Sequence, residues 1–199
     1  MLHFYYGVMG SSKTAQLLMQ RYNYQQLGLK VALIKPAIDT RAGANKVYSR
    51  AGLEAKAEIV LEPHHSVREQ LSWLAVQNAF TDYQYVLVDE AQFLSEDQVQ
   101  EMADMAMHLE IFCYGLKTDF MGNFFPGSAA LLRLAEDIWE VPGGLCWCGR
   151  KATMNTRIDA DGRVIKQGAQ VLIDDHLKDI RYIGLCYAHW RQGKSRADG

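Results

Sequence analysis

No stretch of this 199-residue chain approaches the roughly 18 consecutive apolar residues that a membrane-spanning helix needs. The N-terminus shows no basic segment followed by an apolar one, so no secretory signal is read and a reducing, cytoplasmic setting is expected. An excess of one charge is also lacking. The 21 Lys and Arg against 23 Asp and Glu leave a net charge of −2, which argues against a dedicated nucleic-acid binder. In a reducing compartment the four cysteines are expected to bind metal rather than form disulfides. There are no internal repeats and no low-complexity segments. What is present is ordinary for a globular protein, with 49% hydrophobic and 22% charged residues. The length suits one domain with a small appendage.

Up to about residue 140 the pattern alternates strand and helix, which implies a parallel sheet covered on both faces. Leu2 to Tyr6, Val31 to Ile34, Tyr85 to Val88 and Ile111 to Tyr114 read as strands, the last ended by Gly115. Ala15 to Leu27 and Val67 to Gln77 read as helices. Ser95, with Gln98 three residues on, predicts a capping box and a helix to His108. Residues 36–56 read as a long mobile loop. Composition changes at Val141-Pro142-Gly143-Gly144, after which come three of the four cysteines and an Asp161-Gly162 hairpin signal. The expected division is an α/β domain over 1–143, a small metal-stapled β-rich unit over 144–190, and a frayed tail over 191–199.

Gly7-Val8-Met9-Gly10-Ser11-Ser12-Lys13-Thr14 lies between a predicted strand and a predicted helix. That is the layout of a phosphate-binding loop, in which backbone N–H groups and a helix N-terminus face an anion. Lys13 is then placed to reach the β- and γ-phosphates of ATP, and the Thr14 hydroxyl to meet Mg2+. Ser12 stands where the motif has its second glycine; either serine is tolerated there or the loop has lost nucleotide affinity. Asp89 ends the apolar run Val86-Leu87-Val88 as the acidic partner of such a loop. Glu90 follows at the strand end, where ligands bind in open α/β sheets, and can accept a proton from an attacking hydroxyl. The bland alternative is a solvated acidic pair.

Cys146-x-Cys148 and Cys186-x-x-His189 form two short pairs that together supply four zinc ligands and leave no open position, which makes the metal structural. The alternative is three unpaired thiols and a surface histidine. Cys113, inside an apolar strand, reads as core. Phe120, Met121, Phe124 and Phe125 follow the Thr118-Asp119 loop on the ligand side of the sheet, where aromatics either stack a base or pack the core. His64, His65 and His176 lack partners at metal spacing and read as surface residues.

Taken in order, the phosphate loop, Asp89-Glu90-Ala91-Gln92-Phe93, Gly115-Leu116-Lys117-Thr118-Asp119-Phe120 and the two cysteine pairs resemble the type II, zinc-containing thymidine kinases, in their enterobacterial-like branch. The resemblance spans residues 1 to about 190. It implies a RecA-like P-loop domain with a zinc-ribbon lasso domain, and phosphoryl transfer from ATP to the 5′-hydroxyl of thymidine; deoxyuridine is expected as a second substrate because an apolar pocket discriminates weakly against a missing methyl. It implies Glu90 as catalytic base and Gly7 to Thr14, Asp89 and Gln92 at the nucleotide. It implies Met9, Phe93, Leu116, Phe120 and Tyr182 around the nucleoside, and Arg41 and Arg157 near the phosphates. A homotetramer inhibited by dTTP is implied as well. The competing readings are a P-loop protein impaired in catalysis through Ser12 and a zinc-ribbon nucleic-acid-binding module. Val171-Leu172-Ile173-Asp174-Asp175 stands where the family commonly has Ile-Gly-Gly.

Overall fold

A computed structural model of the chain describes residues 1–78, 83–171 and 180–197. The lasso departure from Leu172 to Asp175, and His176, lie outside the described residues. In chain order the elements of the larger unit are β1 (Leu2–Tyr6), α1 (Lys13–Gln26), β2 (Val31–Pro36), β3 (Lys46–Tyr48), β4 (Glu54–Lys56), β5 (Ile59–Leu61), α2 (Val67–Gln77), β6 (Tyr85–Val88), α3 (Glu96–Met105), β7 (Glu110–Gly115), α4 (Pro126–Leu134) and β8 (Asp137–Glu140). Then come β9 (Met154–Ile158), β10 (Val164–Ile165), β11 (Arg181–Leu185) and α5 (Tyr187–Gln192). No helix among the described residues is long and apolar enough to cross a membrane.

Six strands form one parallel sheet in the order β5-β2-β6-β7-β1-β8. Alternation along the strands sorts its two faces. On β7, Ile111 and Cys113 join Val99, Met102 and Leu131 of α3 and α4 in one core, while Phe112 and Tyr114 join Leu17 and Leu18 of α1 in the other. Both faces are therefore covered, which is why these strands read as continuous apolar runs. Cys113 is fully buried, and burial pushes its thiol well above the ordinary range. Ser66 caps α2 by accepting from the Glu69 N–H, and Ser95 with Gln98 makes the expected reciprocal box at α3.

Several expectations need correction. The segment 36–56 holds a two-stranded hairpin, β3 against β4, with Val47 turned into the core. Its loop is also tied down: the buried Lys35 ammonium donates to the carbonyls of Gly43 and Lys46 at 3.2 and 3.0 Å. Helix α3 stops at Met105 rather than His108, and α1 begins at Lys13, two residues early. Helix α5 runs to Gln192, two residues into the segment read as the tail.

The cysteine-bearing unit is a three-stranded antiparallel sheet, β10-β9-β11, followed by α5. The Asp161-Gly162 turn joins β9 to β10, with Gly162 at φ 82°. That is a left-handed conformation that glycine adopts without steric cost.

Candidate active site

The C-terminal ends of β1, β6 and β7 open on one side of the sheet, the side where open α/β sheets bind ligands. Tyr6 leads into the phosphate loop, which folds back at the Ser11 N–H to Val8 carbonyl bond of 3.2 Å. Gly10 has φ 81° and Ser12 φ 63°, so residue 12 occupies the left-handed region that the glycine of the motif serves. Lys13 begins α1 with its side chain buried. Its ammonium donates to the carbonyls of Gly7 (3.2 Å) and Val8 (2.9 Å) and to Ser11 Oγ (3.4 Å). Burial lowers its pKa to about 8, against the opposing charges of Glu90 and Asp89. The Thr14 hydroxyl lies 3.2 Å from both carboxylate oxygens of Asp89. Burial, then the Glu90 charge, raises Asp89 to about 7. These groups line a cavity of about 360 Å³ together with Asp39, Arg41 and Arg50.

Glu90 has φ 51°. Among the described residues, it and Ser12 are the two non-glycine positions with positive φ, and such strain concentrates at functional sites. Both carboxylate oxygens of Glu90 are engaged, Oε1 by Arg41 Nη2 and Oε2 by Gln92 Nε2. Arg41 is held in turn by Asp39 Oδ1 at 2.6 Å, and the Glu90 charge keeps its guanidinium firmly protonated.

On the other side of Glu90 a second cavity of about 210 Å³ brings together Met9, Phe93, Leu116, Phe120 and Tyr182, all five residues expected around the nucleoside. Phe93 packs edge-on against Phe125, centroids 5.7 Å apart. Phe124, by contrast, is exposed. Met9, Arg41, Arg50, Glu90 and Leu116 border both cavities.

Two placements differ from expectation. Gln92, grouped with the nucleotide motif, is buried on the side of the second cavity, where it also accepts from the Leu116 N–H at 3.0 Å. The turn Ala91–Phe93 carries it away from Asp89. Arg157 lies on β9 behind the aromatic wall, away from the phosphate loop. Its guanidinium stacks 3.7 Å over the Phe120 ring and donates to the Tyr182 hydroxyl at 2.9 Å. Sequence reasoning missed Asp39, Asp119, Asn155 and Gln170. Asp119 accepts from the N–H groups of Met121 and Asn123 and from Gln170 Nε2.

A family model described as thymidine kinase matches residues 1–190. The chain belongs to the thymidine kinase family. It is 38% identical to the thymidine kinase of Yersinia pseudotuberculosis over 193 residues, covering 96% of this chain and 94% of that protein. It is 41% identical to the enzyme of Rhizobium meliloti, covering 95% of each. With that of Mesorhizobium japonicum it shares 40% identity over 98% of this chain and 93% of the other.

In this family member the Ser12 side chain is exposed and makes no capping hydrogen bond, so nothing in the structure offsets its strained backbone. Ser12→Gly is expected to raise the unfolding free energy by about 1 kcal/mol. A shift of the urea midpoint at constant m-value reads this; a lower midpoint would contradict it.

The four expected metal ligands converge. Cys146 and Cys148 sit on a turn closed by the Leu145–Lys151 bridge, Cys186 precedes α5, and His189 lies one turn into it. Their ligand atoms fall within 4.8 Å of one another. Cys146 Sγ and Cys186 Sγ lie 3.3 and 3.5 Å from His189 Nδ1, and the Cys148 and Cys186 sulfurs are 4.0 Å apart. A tetrahedral zinc–thiolate site has edges of about 3.8 Å. Three sulfurs and one nitrogen at these separations fit zinc and leave no open position. Burial raises the Cys146 thiol, but the N–H groups of Cys148 and Cys186 outweigh it and bring it down to about 6, toward the thiolate that binds metal.

Proposed function

We propose that the protein transfers the γ-phosphoryl group of ATP to the 5′-hydroxyl of thymidine, releasing dTMP and ADP in nucleotide salvage. The observation that carries this reading is the position of Glu90, a carboxylate shared by the phosphate-loop cavity and the aromatic cavity. Phosphoryl transfer needs positioning and charge neutralisation more than covalent participation by the protein. The loop N–H groups and Lys13 hold the β- and γ-phosphates, and the ammonium exchanges loop carbonyls for phosphate oxygens. Thr14 and Asp89 would hold Mg2+, which supplies charge neutralisation at the phosphates. The nucleoside 5′-hydroxyl points at Glu90, which accepts its proton as the oxygen bonds to phosphorus and ADP leaves. Phe93, Leu116 and Phe120 flank the base and, with nucleoside bound, keep water that would otherwise hydrolyse ATP from the phosphate. Zinc would be held by Cys146, Cys148, Cys186 and His189 and would supply structure. A cytoplasmic homotetramer belongs to the same proposal.

The test is conversion of labelled thymidine to dTMP under Mg-ATP, compared with deoxyuridine and deoxycytidine by kcat/KM. A site that hydrogen-bonds a base edge rejects the wrong edge more strongly than an apolar wall rejects a missing methyl. Deoxyuridine is therefore expected to be used and deoxycytidine to be disfavoured. Efficient use of deoxycytidine would contradict the selectivity, and no product from any nucleoside would favour an impaired nucleotide-binding protein.

A further inference from the structure

The zinc-ligand unit touches the phosphate loop at a point that the proposed chemistry does not use. Val8 of the loop is enclosed by glycines. A Cβ on Gly184 would stand 3.3 Å from Val8 Cγ2 and 2.9 Å from Ala152 Cβ, and one on Gly144 would overlap Val8. Next to this slot lies Asn155 of β9, 4% exposed. Its Oδ1 accepts from the backbone N–H of Met9 at 2.8 Å, and its Nδ2 donates to the Thr118 carbonyl at 2.7 Å. One amide thus joins three segments: the phosphate loop, the loop that leads to Phe120, and the strand that carries Arg157. Met9 borders both cavities, while Asn155 borders the nucleoside cavity. A buried amide fixed at both ends resists displacement, because breaking either bond strands a desolvated polar group.

We propose that Asn155 is a positioning residue that couples the two substrate sites. The Met9 N–H that it binds is withheld from phosphate, and its orientation sets where the next loop amides point. Filling the nucleoside cavity orders β9 and the 118–120 loop, which holds the Met9 amide through Asn155 and tightens the grip on phosphate. Coupling of this kind is reciprocal, so bound nucleotide strengthens nucleoside binding by the same factor. The inference rests on the reading of the two cavities as ATP and nucleoside sites.

The test uses the full-length, zinc-replete protein and calorimetric titration of ADP with and without saturating thymidine, then of thymidine with and without ADP. In the unaltered protein each ligand is expected to tighten the other by about fivefold or more. In Asn155→Leu, which keeps the size and removes the polar atoms, the factor is expected to fall toward one, whatever the change in each ligand's own affinity. A factor equal to that of the unaltered protein would overturn the proposal, as would a factor of one in the unaltered protein itself. Failure of ADP or thymidine to bind the unaltered protein would instead refute the site assignment. Zinc content and thermal melting report whether Asn155→Leu has folded. If it has not, Asn155→Ser keeps a hydroxyl acceptor on the Met9 side while losing the reach to the Thr118 carbonyl, and brings no buried charge. An intermediate factor is expected there, and an unchanged one counts against Asn155.

Discussion

Glu90→Gln lowers kcat by about 10²- to 10⁴-fold, the range that general-base catalysis contributes, while ADP and thymidine still bind. The amide keeps the length of the side chain and loses the basic oxygen that receives the hydroxyl proton. With its one oxygen turned to the Arg41 guanidinium, the amide meets Gln92 Nε2 donor to donor where the carboxylate accepted. Gln92 must then flip its amide, which costs the bond from the Leu116 N–H. A modest rise in the KM for thymidine accompanies the fall in kcat for that reason. The loss belongs to the transition state if kcat and kcat/KM for ATP fall together. Turnover unchanged in Glu90→Gln would remove Glu90 as the base, whatever else the site contains.

Removing zinc from the proposed site of Cys146, Cys148, Cys186 and His189 is expected to unfold the unit around it. The core beneath the ligands has three buried residues, Cys146, Leu185 and Cys186, with Ile183, Ala188 and Trp190 packed against them. A core of that size supplies too little burial to offset the chain entropy it orders. Structural zinc supplies about 10–16 kcal/mol of folding free energy in zinc-finger peptides. The wall of the aromatic cavity depends on the same unit: Tyr182 lies on β11, Asn155 on β9, and Trp190 of α5 donates to the Phe120 carbonyl at 3.0 Å. Chelation, or Cys186→Ser, is therefore expected to abolish thymidine binding, to weaken ADP through the Met9 contact, and to leave the six-stranded sheet folded. Metal analysis, circular dichroism and titration on one sample read all three effects. A metal-free protein that binds thymidine with unchanged affinity would contradict the structural role of zinc.

Much of this was legible in the sequence because the decisive residues are local. The phosphate loop, Asp89-Glu90 and the cysteine pairs announce themselves by spacing, and α2 falls on its predicted residues because Ser66 and the apolar spacing agree. The hairpin in 36–56 escaped because three-residue strands show no period; only Val47 is fully buried in them. Helix α4 was not singled out, although Pro126 sits at its first position, where a missing N–H costs nothing. The Phe run just before it drew the reading toward a binding face. Gly127 follows because a Cβ there would lie 2.5 Å from the Ala91 carbonyl, a constraint visible only in three dimensions. Gln92 was misplaced because two residues of separation from Asp89 suggested one site, whereas the intervening turn faces it the other way. Asn155 and Gln170 carry no motif at all; their partners are 146 and 51 residues away.

The strand order sets when the nucleotide site can come into being. β1 lies about a hundred residues ahead of its neighbours β7 and β8 in the chain, paired from Leu2–Ile111 through Tyr6–Glu140. The phosphate loop hangs from its end, and the Met1 ammonium docks on the carbonyls of Ala106 and Leu109. On a ribosome, β1 and the loop that follows it wait for their sheet partners until β7 has been synthesised. Pairings this distant in sequence are slow to form. The phosphate loop is therefore shaped by strands made long after it, and any ligand it holds stabilises only a chain whose sheet has already closed around β1.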